Sequence, residues 1–230
     1  MKTTRVLAIE TATARGSVAV VTPEGVLAER SAHVPGGHLE WLIPAVDEVL
    51  TAADLTPPAV DALAVSIGPG GFSGLRIGLA TAAAWAHGLS RPLVAVSTLE
   101  AIAAGVSATG LVLAALDARR GEVAAALFRH DGEIRCIAGD LLIAPGALGG
   151  RLGPIAEPVA VAGDALVVHR AALLEALGPR ASAAPEELWW PRAAVVGRLG
   201  LARLQRGERD DPVGLTPRYA RRAVAREYHR

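Results

Sequence analysis

Residues 68–78 read Gly68-Pro69-Gly70-Gly71-Phe72-Ser73-Gly74-Leu75-Arg76-Ile77-Gly78, and the punctuation of this stretch decides how the rest of the chain is read. The compact apolar run before it, Ala62 to Ile67, has the length and composition of a buried strand. Helical periodicity begins just after it: Leu75, Leu79, Ala82 and Ala86 fall on one side of a helix predicted over Ser73 to Gly88. Three glycines within four residues, between a strand and a helix, open backbone conformations closed to other residues. Such a loop receives the free N–H groups of the helix start, which suits a phosphate or a carboxylate. A tight strand-to-helix turn with close helix packing explains the same glycines equally well, and the residues leave both readings open. The stretch lacks the Gly-Lys-Ser/Thr ending of a Walker loop and is not a G-x-G-x-x-G fingerprint with a partner acid.

Upstream, Arg5 to Glu10, Ser17 to Val21 and Val26 to Ser31 read as three short strands in meander order, separated by turn chemistry at 11–16 and at Pro23-Glu24-Gly25. From His38 to Ala53 the period changes, and Leu39, Leu42, Ile43, Val46 and Leu50 predict one apolar helical stripe. Pro44 inside that run predicts a bend or a late start. Downstream, Leu93 to Val96 is a strand, and Ser97 caps a helix over Thr98 to Gly105. The strand pattern restarts after Gly110. Leu111 to Leu116, Glu122 to Arg129 and Glu133 to Cys136 form a second meander, followed by a strand at Val159 to Val161 and helices over Leu166 to Leu177 and Ala193 to Arg206. A strand meander followed by helices and a further strand thus occurs twice, with the division near Val106 to Gly110. This doubling predicts two related lobes on mixed sheets in an α/β architecture.

Hydrophobic residues at 51% and charged residues at 20% supply a core and argue against disorder. No apolar run reaches bilayer length and no leader pattern is seen, so no membrane association and a cytoplasmic location are expected. Cys136 is the only cysteine, which removes any internal disulfide. With 23 basic and 23 acidic residues the chain lacks the overall positive charge that gripping a nucleic acid unaided normally needs. Lys2 is the only lysine, which excludes an internal Schiff base or a phosphate-loop lysine.

The eleven-residue stretch strongly resembles the signature of the TsaB (YeaZ) family, and four further segments resemble that family in order. These are Val6 to Thr13, Gly37 to Pro44, Ala115 to Val123 and Thr216 to Arg221. The resemblance implies the two-lobed sugar kinase, Hsp70 and actin type of fold, which is ribonuclease H-like. It places an N-terminal lobe at 1–106, a C-terminal lobe at 107–214, and a segment 215–230 returning to the first lobe. It further implies a dimerisation subunit without catalysis of its own. Such a subunit pairs with the catalytic subunit TsaD through first-lobe helices and works with the ATPase TsaE in threonylcarbamoyl transfer to tRNA. ATP or ADP, magnesium and the catalytic subunit's metal would enter only in that complex, tRNA would be met through it, and the chain alone could form a homodimer. A kinase-like ATPase acting alone, or a metallopeptidase, would be the alternatives.

Residue chemistry can be set beside those implications. The catalytic sister holds a metal with two histidines one helical turn apart; here His38 is followed one turn later by Leu42, which cannot bind metal. A lone histidine at a helix start is expected to be solvated or to cap the helix. Glu10 and Asp117, each at a strand end, are a candidate magnesium pair beside the anion loop of Gly70, Gly71, Ser73 and Gly74. Asp117 with Arg119 and Arg120 also reads as a hairpin ion-pair network. Trp41 and Trp85 stand outside the apolar stripes, and His38, Trp41, Leu42, Arg76, Leu79 and Ala83 are the expected partner face. The arginines 218, 221, 222, 226 and 230, with Tyr219 and Tyr228, form a tail that could meet tRNA phosphates or remain solvated.

Overall fold

The computed structural model of the chain describes residues 3–106 and 109–221. Arg222, Arg226, Tyr228 and Arg230 of the basic tail lie outside the described residues. Two five-stranded mixed sheets carry the fold. The first contains β1 (Val6–Glu10), β2 (Arg15–Thr22), β3 (Gly25–His33), β4 (Ala62–Gly68) and β5 (Leu93–Ser97), in the order β3-β2-β1-β4-β5. The second contains β6 (Gly110–Asp117), β7 (Val123–His130), β8 (Ile134–Ile143), β9 (Val159–Ala162) and β10 (Ala181–Ala183), in the order β8-β7-β6-β9-β10. In each sheet the first three strands pair antiparallel, and two parallel strands join on the far side of the first. The predicted doubling is therefore a repeated topology. The central strands β1 and β4 are buried along their whole length, as continuous apolar runs covered on both faces require.

The helices cross between the halves of the sequence. Helices α1 (His38–Ala52) and α2 (Phe72–Leu89) cover one face of the first sheet through Leu42, Val46, Val49, Leu79, Ala82 and Ala86. Helix α3 (Thr98–Gly105) puts Leu99, Ile102 and Ala103 into the core of the second sheet, to which α4 (Leu148–Leu152) and α5 (Ala165–Leu177) also contribute. Helix α6 (Ala193–Gln205), from the second half of the chain, lies on the other face of the first sheet against Val6, Ala8, Val21 and Ala64. Helices α3 and α6 thus each pack on the sheet formed by the other half of the chain. Close approach explains why: a Cβ at Gly197 would sit 2.7 Å from Val21 Cγ2, and one at Gly200 would sit 2.6 Å from Ala64 Cβ.

Several local expectations change. Of the predicted α1 stripe, Leu42, Val46 and Leu50 are buried, but Leu39 is 67% and Ile43 52% exposed; Ala45 and Val49 complete the inward face instead. The helix runs from His38 with Pro44 inside it, so there is no late start. Ser97 caps α3 as predicted, accepting from Glu100 N at 3.5 Å. Strand β8 extends well past Cys136, and β10 and α4 had no periodic signature long enough to read.

Helix α6 has no capping side chain of its own; its first-turn donors are satisfied from the first sheet. Ser17 Oγ accepts from Ala193 N at 3.1 Å, Glu29 Oε1 accepts from Ala194 N at 3.1 Å, and Arg192 pairs with Glu29. A carboxylate at a helix start meets both the orphan N–H groups and the dipole. Glu29→Ala should therefore lower unfolding stability by about 1–2 kcal/mol, measured by urea titration, through a contact 165 residues away in sequence.

Candidate site: the cleft between the two sheets

A cleft of about 570 Å³ opens between the lobes. Its first-lobe wall is the β1–β2 turn (residues 11–14), Pro35, Gly36 and His38 ahead of and at the start of α1, and the glycine loop of residues 69–74. Leu116 to Arg119 and Asp164 form the second-lobe wall, and Tyr219, Ala220 and Arg221 lie across it.

The glycine loop owes its composition to the turn beneath it. Cβ atoms at Gly70, Gly74 and Gly78 would collide with Ala12 O, Thr11 O and Thr11 Oγ1 respectively. Bonds close the same contact: Gly71 N donates to Ala12 O at 2.7 Å, and Thr11 Oγ1 donates to Gly74 O at 2.8 Å. The four-residue spacing of Gly74 and Gly78 keeps both on the side of α2 that meets the turn, and Gly70 meets it from the loop before the helix. Of the two readings left open by sequence, close packing is realised. Gly71, Phe72 and Ser73 nevertheless line the cleft, with the N-terminus of the 18-residue α2 at its edge.

Glu10 and Asp117 are not brought together. Glu10 is fully buried outside the cleft lining, where Ser66 Oγ donates to one carboxylate oxygen and Ala12 N donates to the other at 2.5 Å. Burial pushes its carboxyl up to about 7 against these two donors. The magnesium pair is thereby corrected: Glu10 holds the β1–β2 turn in place. Asp117 does line the cleft, with Oδ1 accepting from Arg119 N at 2.9 Å and Oδ2 3.2 Å from Arg119 Nη1. Asp164, unremarked from sequence, accepts from Asp117 N at 2.9 Å, and burial raises its carboxyl to about 6. The signal for it was present in Gly163-Asp164, an acid between a strand and a helix. His169 Nε2 stands 3.6 Å from Asp117 Oδ1, at a kink in α5. Among the described residues no group of three or more His, Cys, Asp or Glu side chains could hold a metal ion.

His38 also departs from expectation. It is 6% exposed rather than solvated, and burial lowers its pKa against the carbonyls of Arg15 and Thr13. Leu42, one turn on, is wholly buried in the first-sheet core. Leu42 and Leu79 are therefore corrected from surface to core, because each faces the sheet. Trp41 is half-buried and lies over Gly16, where a Cβ would approach its ring to 2.7 Å at Cε3. Trp85 and Ala83 are half-buried on the rim of the same core. Arg76 is exposed, with its guanidinium 3.7 Å above the Phe72 ring and Nε donating to Tyr219 Oη at 2.7 Å. Tyr219 stacks on Phe72 at 4.9 Å.

The described end of the chain straps both lobes. Arg218 N donates to Ile67 O at 2.7 Å, and Arg221 donates to Arg119 O at 3.1 Å and pairs with Glu122. Two of the tail's arginines are thus structural contacts at these atoms. No helix among the described residues is long and apolar enough to cross a membrane.

Comparison with known proteins agrees with this geometry. The family model of tRNA N6-adenosine threonylcarbamoyltransferase, TsaD, matches residues 22–225. The tRNA threonylcarbamoyladenosine biosynthesis protein TsaB of Bacillus subtilis is 30% identical over 96% of this chain and 95% of its own. An uncharacterized Mycobacterium leprae protein is 45% identical over 54% of this chain; that match spans only 35% of the relative's length. YeaZ from Pseudomonas aeruginosa superposes with a TM-score of 0.81 at 28% identity, covering 94% of this chain and 99% of that one. The ROK hexokinase of Thermus thermophilus, at 13% identity, shares the fold with a TM-score of 0.52 over 88% of this chain and 100% of its own. The fold is thus of the sugar-kinase and actin-like type.

The buried acids give the fold a signed pH dependence. An unfolded chain releases the Glu10 proton near 4.5, whereas the folded chain keeps it to about 7. The folded state therefore binds more protons across that window, and stability falls as pH rises from about 4.5 to about 7, then levels. Asp164 adds a smaller decline between 3.8 and about 6. Urea titrations across this range should show the decline, and Glu10→Gln should make it markedly shallower. An unchanged slope in that variant would contradict the assignment.

Proposed function

The chain belongs to the family of tRNA N6-adenosine threonylcarbamoyltransferase and its TsaB (YeaZ) relatives, and on that premise we propose that it is a dimerising partner subunit without catalysis of its own. Its reaction is threonylcarbamoyl transfer to N6 of the adenosine beside the anticodon, in tRNAs reading codons that start with A. The end-to-end match to Bacillus subtilis TsaB carries this reading. Two features of the chain support it. The position one turn after His38 is a core leucine, so a helical histidine pair has no place to form. Glu10 is held by Ser66 and Ala12 beneath the cleft rather than offered to it.

The partner surface is the outward side of α1 and α2. Leu39 and Ile43 on α1 and Phe72 on α2 are exposed apolar side chains, and the exposed Ala80 and Ala84 continue the α2 side at helical spacing. Small residues let a facing helix approach closely, and exposed apolar side chains supply the anchors. Its occupant is a TsaD-type subunit of the same fold; without it, a second copy of this chain takes the face. A TsaE-type ATPase, ATP or ADP with magnesium, and the catalytic subunit's metal complete the assembly, and tRNA is engaged through the complex.

Reconstitution with the catalytic subunit, the ATPase, tRNA, threonine, bicarbonate and ATP should yield modified tRNA only when this chain is present. The chain alone should yield none; transfer without it would overturn the reading. Ile43→Asp should weaken pairing with the catalytic subunit about thirtyfold, roughly 2 kcal/mol, with an unchanged far-ultraviolet dichroism spectrum. Leu79→Asp should instead unfold the chain, because it buries a charge in the first-sheet core.

A further inference from the structure

Arg76, exposed on α2, is held more tightly than a surface arginine usually is. Its guanidinium lies 3.7 Å above the Phe72 ring, one turn back on the same helix. Nε donates to Tyr219 Oη at 2.7 Å, and the Tyr219 ring stacks on Phe72 at 4.9 Å. Tyr219 belongs to the strap, which is fastened on either side of it: Arg218 N donates to Ile67 O, and Arg221 pairs with Glu122. The guanidinium is thus fixed at one face and at Nε, and Arg76 forms no ion pair among the described residues. A side chain held this way has already lost much of the rotamer freedom that docking would otherwise take from it. Charge on this side of the lobe is divided between the helices. Glu40, Asp47 and Glu48 are exposed on α1, with Glu48 matched by Arg30 at 3.1 Å. Helix α2 carries no acid; Arg76 and His87 are its only ionisable side chains.

We infer that Arg76, held by Phe72 and by Tyr219 of the strap, is the receptor for a carboxylate side chain on the facing helix of the catalytic subunit. This rests on the partner reading above and supplies its chemistry. With Nε bonded to Tyr219, the two terminal nitrogens form the remaining edge of the planar fork, which matches the two oxygens of a carboxylate. Ala80 and Ala84 continue the same side of α2 and let the facing helix come close enough to present an Asp or Glu. The segment at residues 218–221 therefore belongs to the recognition surface, although it lies far from α2 in sequence.

Affinity of the full chain for the catalytic subunit is measured by isothermal titration calorimetry, with thermal midpoints to confirm that each variant is folded. Arg76→Ala should weaken pairing about tenfold, and Arg76→Lys nearly as much, because an ammonium cannot form the paired bonds. Tyr219→Phe keeps the stacked ring and removes only the hydroxyl. It should weaken pairing about threefold in the wild type and not at all in the Arg76→Ala background, since both act through one guanidinium. Added salt should weaken wild-type pairing more than that of Arg76→Ala. Ile43→Asp reports on the face itself. If it weakens pairing while Arg76→Ala and Tyr219→Phe do not, the partner face stands and the carboxylate receptor is overturned. If none of the three weakens pairing, the face is overturned as well. Fully additive losses from Arg76→Ala and Tyr219→Phe would overturn the role of the strap. Weaker tRNA binding by the Arg76→Ala complex, with pairing unchanged, would overturn the carboxylate in favour of a phosphate.

Discussion

The rest of the molecule depends on the contact between the start of α2 and the β1–β2 turn. Gly70, Gly74 and Gly78 let the helix sit where side chains would collide with Thr11 and Ala12, and two hydrogen bonds fix that approach. Beneath it, Glu10 is bound by Ser66 and by Ala12 N, so the turn is supported from both sides. A helix seated this closely carries its outward side, with Phe72 and Arg76, at a fixed height over the sheet. Its N-terminus is left at the edge of the cleft. One packing constraint thereby sets both the outward side of α2 proposed for the partner and one wall of the cavity.

Around that contact the two halves of the chain are interlocked rather than merely adjacent. Helix α6 returns to the first sheet and borrows its N-terminal cap from Ser17 and Glu29. Helix α3 goes the other way and fills the second core. The strap at residues 218–221 bonds to Ile67 in one lobe and to Arg119 and Glu122 in the other, and Tyr219 stacks on Phe72 in between. A change at the α2 start is therefore felt by the strap, and through Arg221 by the β6–β7 turn.

Much of this was legible in the sequence where period and punctuation are local. Both meanders, α2 with its buried Leu75, Leu79, Ala82 and Ala86, and the Ser97 cap follow from spacing alone. What was not legible depended on contacts between distant segments. Leu39 and Ile43 share a four-residue spacing with each other, as Leu42 and Val46 do, and only the position of the sheet decides which pair is outside. Leu42 and Leu79 looked available for a partner until the core claimed them. Glu10 resembles a metal-binding strand-end acid in sequence, and its role changes because Ser66, 56 residues away, points a hydroxyl at it. The close-packing signal was present in the sequence: Gly74 and Gly78 stand four residues apart in α2, as a helix packed against backbone requires, with Gly70 in the loop before them.

The central claim is that the outward side of α1 and α2 is where this chain meets a catalytic subunit of its own fold. Amide hydrogen exchange on the chain with and without that subunit tests it most directly. The account predicts new protection concentrated in residues 39–47 and 72–87, with the edge strands β3 and β8 unchanged. Protection confined to an edge strand or to the second-lobe helices, with α1 and α2 exchanging as in the free chain, would contradict it.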